Sequence, residues 1–97
     1  MKKITGKIRL RPGMYQEYCR RHDQIWPEMK ELMLSAGIRN YTIWYDGENL
    51  FEYLEVEDEQ RLKRILAASP VKQRWDAYMS DIITHDDTVM ALAFEFN

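Results

Sequence analysis

Cysteine is nearly missing from this chain: Cys19 stands alone, so no internal disulfide can form. Histidine is almost as scarce. His22 and His85 lie far apart, and with neither a CxxC nor an HxxxH spacing present, the sequence gathers no ligand set for a metal. The four glycines build no phosphate-cradling loop and no nucleophile elbow, and no cofactor is expected. Positive charge is not in excess either. Fourteen Lys and Arg against sixteen Asp and Glu give a net charge of −2, with the arginines interspersed among acids, which argues against a nucleic-acid footprint. No stretch approaches the ~20 apolar residues that cross a bilayer. Met1-Lys2-Lys3 leads into an alternating segment and not into an apolar leader, so no membrane partner and a cytoplasmic location are expected. At 97 residues the chain reads as a single domain, 1–97. A chain of that size buries something over ~60% of its unfolded surface, a core that a second copy would extend.

What is present is a regular succession of patterns. Lys3 to Leu10 alternates, with Ile4, Gly6, Ile8 and Leu10 facing one way, as in a half-buried strand. After the turn Arg11-Pro12-Gly13, apolar residues recur at three and four residue steps from Tyr15 to Trp26. The pattern resumes beyond Pro27 through Met29, Leu32, Met33 and Ala36 to a terminating Gly37. Ile38 to Tyr45 and Leu50 to Val56 read as the strands of a hairpin turning at Asp46-Gly47-Glu48-Asn49. Asp58 caps a helix from about Glu59 to Ala68, and Ser69-Pro70 opens another that reaches about Ile83. His85-Asp86-Asp87 is expected to be a polar connection and Thr88 to Phe96 the last strand. The order β, α, β, β, α, β, with both helical regions interrupted, fits an α+β fold: a four-stranded antiparallel sheet with helices on one face, the split βαβ arrangement. Apolar residues point to both sides of the hairpin, Tyr41, Ile43 and Tyr45 against Thr42 and Trp44, which implies a symmetric homodimer covering the second face.

The stretch Tyr18 to Glu28 is where chemistry is expected. At 3.6 residues per turn Tyr18, His22 and either Ile25 or Trp26 share a face, setting an imidazole among aromatic rings. A histidine so placed moves protons near neutral pH. Pro27 disfavours the helical conformation at Trp26, so the helix kinks or breaks there. Spacing alone also allows plainer readings: His22 as a hydrogen-bonded structural histidine, Arg20 and Arg21 as solvated charges, Trp75 with Tyr78 and Met79 as core, Tyr41 as an ordinary strand residue, and His85 in a solvated loop. On residues alone the reading stops at a small soluble α+β domain, with ligand binding one use open to it.

Three segments add to this. Glu17-Tyr18-Cys19-Arg20-Arg21-His22-Asp23-Gln24-Ile25-Trp26-Pro27-Glu28, then Gly37-Ile38-Arg39-Asn40-Tyr41, then Gln73-Arg74-Trp75 with Tyr78-Met79, closely resemble L-rhamnose mutarotase over nearly the whole chain. The resemblance implies a ferredoxin-like monomer assembled as a dimeric α+β barrel, with no cofactor, that interconverts the α and β anomers of L-rhamnose or a related 6-deoxy sugar. By position it makes His22 the proton donor and Tyr18, Tyr41 and Trp75 the residues that hold the sugar. One position departs: where a member of the family carries a second tryptophan directly after the one matching Trp75, this chain has Asp76, which trades stacking surface for a hydroxyl acceptor. Sugar preference is the property that exchange touches, and L-fucose or another related pyranose is the alternative to L-rhamnose.

The chemistry required agrees with the residues. Anomerisation delivers a proton to the ring oxygen and removes one from the C1 hydroxyl; the ring opens to the aldehyde, C1 rotates and the ring recloses. His22 suits the acid and base role, while Tyr18 one turn earlier either binds the sugar or shares in the transfer. Aromatic faces such as Trp75 and Tyr41 suit the C–H faces and methyl group of a 6-deoxy sugar. Two other classes fit the fold pattern: an oxygenase-like enzyme on a similar dimeric α+β barrel, which would consume oxygen and ignore sugars, and a non-catalytic sugar-binding or dimerisation module, which would leave the anomer ratio relaxing unaided.

Overall fold

A computed structural model describes all 97 residues. Its first strand, β1 (Lys2–Leu10), is the alternating segment, and the turn after it is made by Gly13 in the left-handed region at φ +77°. Two nine-residue helices follow, α1 (Tyr15–Asp23) and α2 (Pro27–Ser35). They are separate because Trp26 is extended at ψ 138° and Pro27 takes the first helical position, where its missing N–H costs nothing. Gly37, at φ +87°, ends α2 and feeds β2 (Ile38–Tyr45), which turns into β3 (Asn49–Val56). Asp46 Oδ1 holds that hairpin by accepting the N–H groups of Glu48 at 2.8 Å and Asn49 at 2.6 Å.

Helix α3 (Glu59–Ala68) begins at Asp58, whose carboxylate accepts from the N–H groups of Gln60 and Arg61. Ser69 ends α3 and caps α4 (Pro70–Met79) by accepting from the Lys72 N–H at 3.2 Å. The last strand, β4, is Ile83–Asp86. This corrects the expected boundaries: α4 stops at Met79, the His85-Asp86 connection is itself strand, and Thr88 to Phe96 has no regular structure. The reason is pairing. Ile83 to Asp86 lies antiparallel along Leu10 to Lys7, is tied by the Arg11 N–H to the Ile82 carbonyl at 2.9 Å, and adds an ion pair between Lys7 and Asp86 at 3.4 Å.

The sheet order is β2-β3-β1-β4, all neighbours antiparallel, which makes the fold ferredoxin-like. Register puts Ile4, Gly6, Ile8 and Leu10 on one face with Leu50, Glu52, Leu54 and Val56. The helices pack on that face in two clusters. Leu10, Tyr18, Met29, Leu50, Trp75, Met79 and Ile82 form the larger; Ala36, Ile38, Val56 and Leu62 the smaller. The opposite face carries Phe51 and Tyr53 beside Trp44, which is 67% exposed. No helix is long and apolar enough to cross a membrane.

Candidate active site

Helix α1 lays its aromatic side chains against α4 and the sheet. Tyr18 is buried, and His22, one turn on, is half-buried, their rings 4.3 Å apart between centroids. Trp75 reaches the same spot from α4, edge-on to His22 at 5.4 Å and to Trp26 at 5.1 Å. Trp26, one turn beyond His22 and in the extended break between α1 and α2, brings its ring to the same side of Trp75. Tyr41, on the edge strand β2, lines with His22 a cleft of about 310 Å³ walled by Ile25, Met29, Met33 and Ile43. The expected residues Tyr18, His22, Tyr41 and Trp75 therefore converge.

Asp76 does not touch His22. It pairs with Lys72 on its own helix and lines a more polar cleft of about 360 Å³ between α4 and the sheet. Glu52 links the two clefts through a hydrogen bond: it lines the polar one and accepts the hydroxyl hydrogen of Tyr41, which lines the other. Glu52 was not visible as a site residue from spacing. The signal was available: a carboxylate at an inward position of β3, between Leu50 and Leu54, breaks an otherwise apolar face.

Protonation follows from these contacts. The Nδ1 of His22 lies 3.1 Å from the Tyr18 carbonyl oxygen, and since a carbonyl only accepts, Nδ1 carries the hydrogen. Nε2 is left with its lone pair. Burial pushes the His22 pKa below its ordinary 6.5, with the Tyr18 carbonyl and the Glu52 and Asp23 charges pulling the other way. Neutral imidazole with a basic Nε2 is thus the resting state near pH 7. Burial, assisted by the Glu52 charge, raises the phenol of Tyr18 well above 10.0, and burial does the same to Tyr41 with Glu52 acting both as charge and as hydrogen-bond partner. Both tyrosines keep their hydrogens and act as donors.

Arg21 departs from the solvated reading. Its side chain is buried, with Nη1 donating to the Tyr78 carbonyl at 2.7 Å and to Asp81 at 2.8 Å and Nε to Glu17 at 2.8 Å. It fastens α1 to the end of α4 and so fixes how His22 faces Trp75. Arg20 remains at the surface with Glu17. His85 sits on β4, exposed, in the polar cleft. No group of three or more His, Cys, Asp or Glu side chains is arranged to hold a metal ion.

Fold and site together define a ferredoxin-like α+β domain whose helix-to-sheet cleft frames a neutral histidine with aromatic rings. A family model for L-rhamnose mutarotase matches residues 3–93. The chain is 40% identical over 85 residues to the L-rhamnose mutarotase of Listeria monocytogenes, covering 86% of this chain and 81% of the relative. The crystal structure of an L-rhamnose mutarotase from Formosa agariphila superposes with a TM-score of 0.87 at 27% identity, over 100% of both chains. A dimeric ferredoxin-like protein from an uncultured marine organism, 8% identical with a TM-score of 0.67 over 100% of this chain and 99% of that one, shares the fold alone. The chain belongs to the L-rhamnose mutarotase family, a family of isomerases.

Proposed function

We propose that the protein interconverts the α and β anomers of L-rhamnose, with His22 as the acid and base, Tyr18 as a hydroxyl donor to the sugar, Tyr41 and Trp75 as walls that set its pose, and Asp76 as a hydroxyl acceptor. The observation that carries this is the neutral His22 held by the Tyr18 carbonyl, with Nε2 free for substrate. Nε2 takes the C1 hydroxyl proton while the bond from C1 to the ring oxygen breaks. The Tyr18 hydroxyl hydrogen-bonds the ring oxygen as negative charge develops there, and the imidazolium then gives that oxygen its proton. C1 rotates in the open aldehyde, and the same steps in reverse close the ring on the other face. No net proton is gained or lost. Aliphatic walls at Ile25 and Met29 and the aromatic ring of Tyr41, with the Trp75 ring against His22, match the C–H faces and methyl of a 6-deoxy sugar. Saturation-transfer proton NMR on equilibrated L-rhamnose is the test. Exchange between the anomeric signals well above the spontaneous rate is expected, and its absence with L-rhamnose and with a panel of related pyranoses would refute the enzyme reading.

We also propose a homodimer closed through the second face of the sheet. Trp44 on that face, with Val89, Leu92, Phe94 and Phe96 in the segment after β4, leaves more bulky apolar surface uncovered than a monomer carries comfortably: each of these side chains is at least 67% exposed. Light scattering should give twice the 11.7 kDa chain mass, and a single-chain mass at micromolar concentration would exclude it. The free thiol of Cys19 suits the reducing cytoplasm, the location we propose and one that cell fractionation checks.

A further inference from the structure

We propose that Glu52 is a catalytic residue of this site, a carboxylate that faces the sugar from the sheet and balances the positive charge His22 gains on taking the C1 hydroxyl proton. The inference rests on the mutarotase reading and extends it to a residue outside the aromatic and histidine set.

Four observations carry it. Glu52 lies in mid-strand on β3, on the face covered by the helices, directly across from Ile43 of the His22 cleft. A charge there, between Leu50 and Leu54, would ordinarily be paired. Glu52 belongs to none of the ion pairs; the nearby lysines are taken, Lys72 by Asp76 and Lys7 by Asp86. Its one side-chain partner is the Tyr41 hydroxyl, which leaves most of the lone pairs of a carboxylate free for hydroxyl donors.

The fourth observation is Gly6. A Cβ added at that position would stand 3.1 Å from Glu52 Oε1 and 3.8 Å from its Cβ. Glycine in mid-strand costs roughly 0.5–1 kcal/mol relative to alanine, and here it leaves the carboxylate its room. The fold thus gives up strand stability at Gly6 to seat an unpaired charge in the polar cleft, one hydrogen bond away from Tyr41 of the His22 cleft. The groups around His22 that carry or exchange charge are Tyr18 and Asp23 on α1, Tyr41 on β2 and Glu52 on β3, with Trp75 on α4 a neutral ring against it. Asp23 is exposed, so Glu52, half-buried on the covered face of the sheet and bonded to Tyr41 of the His22 cleft, is the counter-charge on the protein side of the imidazole. Its field acts in that sense, opposing the loss of basicity that burial imposes on His22 and holding the Tyr18 and Tyr41 hydroxyls in their neutral form.

The roles divide as follows. In the first transfer the proton leaves the C1 hydroxyl for Nε2 and the imidazolium forms beside a carboxylate already in place. The charge pair lasts until the ring oxygen takes the proton, and Glu52 itself neither gains nor loses one. Its second oxygen accepts a hydroxyl of the sugar.

The test uses Glu52→Gln, which keeps an acceptor for Tyr41 and removes the charge. Two readouts are taken on the folded protein. The anomer-exchange rate constant is expected to fall roughly tenfold or more at saturating sugar, with KM changed far less. The His22 ring signal, followed by proton NMR and told from His85 with a His85→Gln variant, is expected to titrate lower by roughly half a pH unit or more. A variant that exchanges anomers within about twofold of wild type, or whose His22 titration is unmoved, overturns the assignment. Gly6→Ala serves as the second variant and decides the matter if Glu52→Gln does not fold. It leaves residue 52 intact and presses on Oε1, so both readouts should move in the same direction, and unmoved readouts overturn the proposal. Wild-type protein that exchanges no anomers overturns the mutarotase reading and this role with it, whereas active wild type with an equally active Glu52→Gln variant sinks the role of Glu52 alone.

Discussion

Replacing His22 by alanine is expected to lower the anomer-exchange rate constant by about 10²- to 10⁴-fold, the usual contribution of a positioned proton-transfer group, while the protein still folds. The ring is only half-buried, and the contacts it makes with Tyr18 and Trp75 are tilted and edge contacts at 4.3 and 5.4 Å, so its removal costs stability on the order of 1 kcal/mol. The residual rate should also lose its acid limb. In the wild type the neutral form is the active one, because Nε2 must accept the first proton. Its pKa in the folded protein lies below 6.5, so kcat/KM is expected to be flat near pH 7 and to fall as pH drops through that lowered value. Stability carries the same sign. A histidine with a depressed folded pKa binds its proton more readily in the unfolded chain, so its contribution is complete above the unfolded value of 6.5 and is lost as pH falls through the folded one. Circular dichroism together with NMR exchange between pH 5 and 8 separates the two effects. A His22→Ala protein with wild-type exchange and an unchanged acid limb would require another residue as the base.

The second large effect is expected at Trp75. It is 7% exposed, sits in the larger core cluster, and meets His22, Trp26 and Tyr78 with its ring. Truncation to alanine removes both core packing and the ring that abuts His22. A cost of about 3–5 kcal/mol is typical for a buried tryptophan, against a total near 5–15 kcal/mol for a domain of this kind. The melting temperature should drop by roughly 15 °C or more. Tyr78→Ala is the internal comparison. That ring is 39% exposed and lies under the Arg21 guanidinium at 4.4 Å, so about 1 kcal/mol is expected. Equal melting temperatures for the two variants would mean that Trp75 does not hold the core together.

Local signals in the chain translated directly into structure. Alternation in β1, Asp58 and Ser69 as caps, Pro27 as a break and Gly37 as a stop each act within a few residues, so they can be read without knowing what lies across the fold. The fourth strand could not be read that way. Thr88 to Phe96 has the stronger β composition, yet Ile83 to Asp86 is what β1 pairs with, because α4 ends early enough for Ile82 to be buried beside Leu10. The site divides along the same line. His22 and its aromatic neighbours follow from helical spacing plus the family resemblance, and they converge as expected. Glu52 depends on register: only when β3 is laid between Gly6 and Ile43 does an unremarkable glutamate become the unpaired charge of the cleft. Arg21 likewise reads as solvent-exposed until Asp81 is folded back onto it.

The break at Trp26 reaches beyond the shape of the cleft. It leaves the histidine on a nine-residue helix, and its neighbour is no longer. Helices of under about 12 residues do not persist alone in water. Helix α1 therefore exists only while the sheet and α4 hold it, and no partly melted form can keep Tyr18, His22 and Trp75 in register. Activity and tertiary structure are thus a single cooperative unit, lost together and regained together.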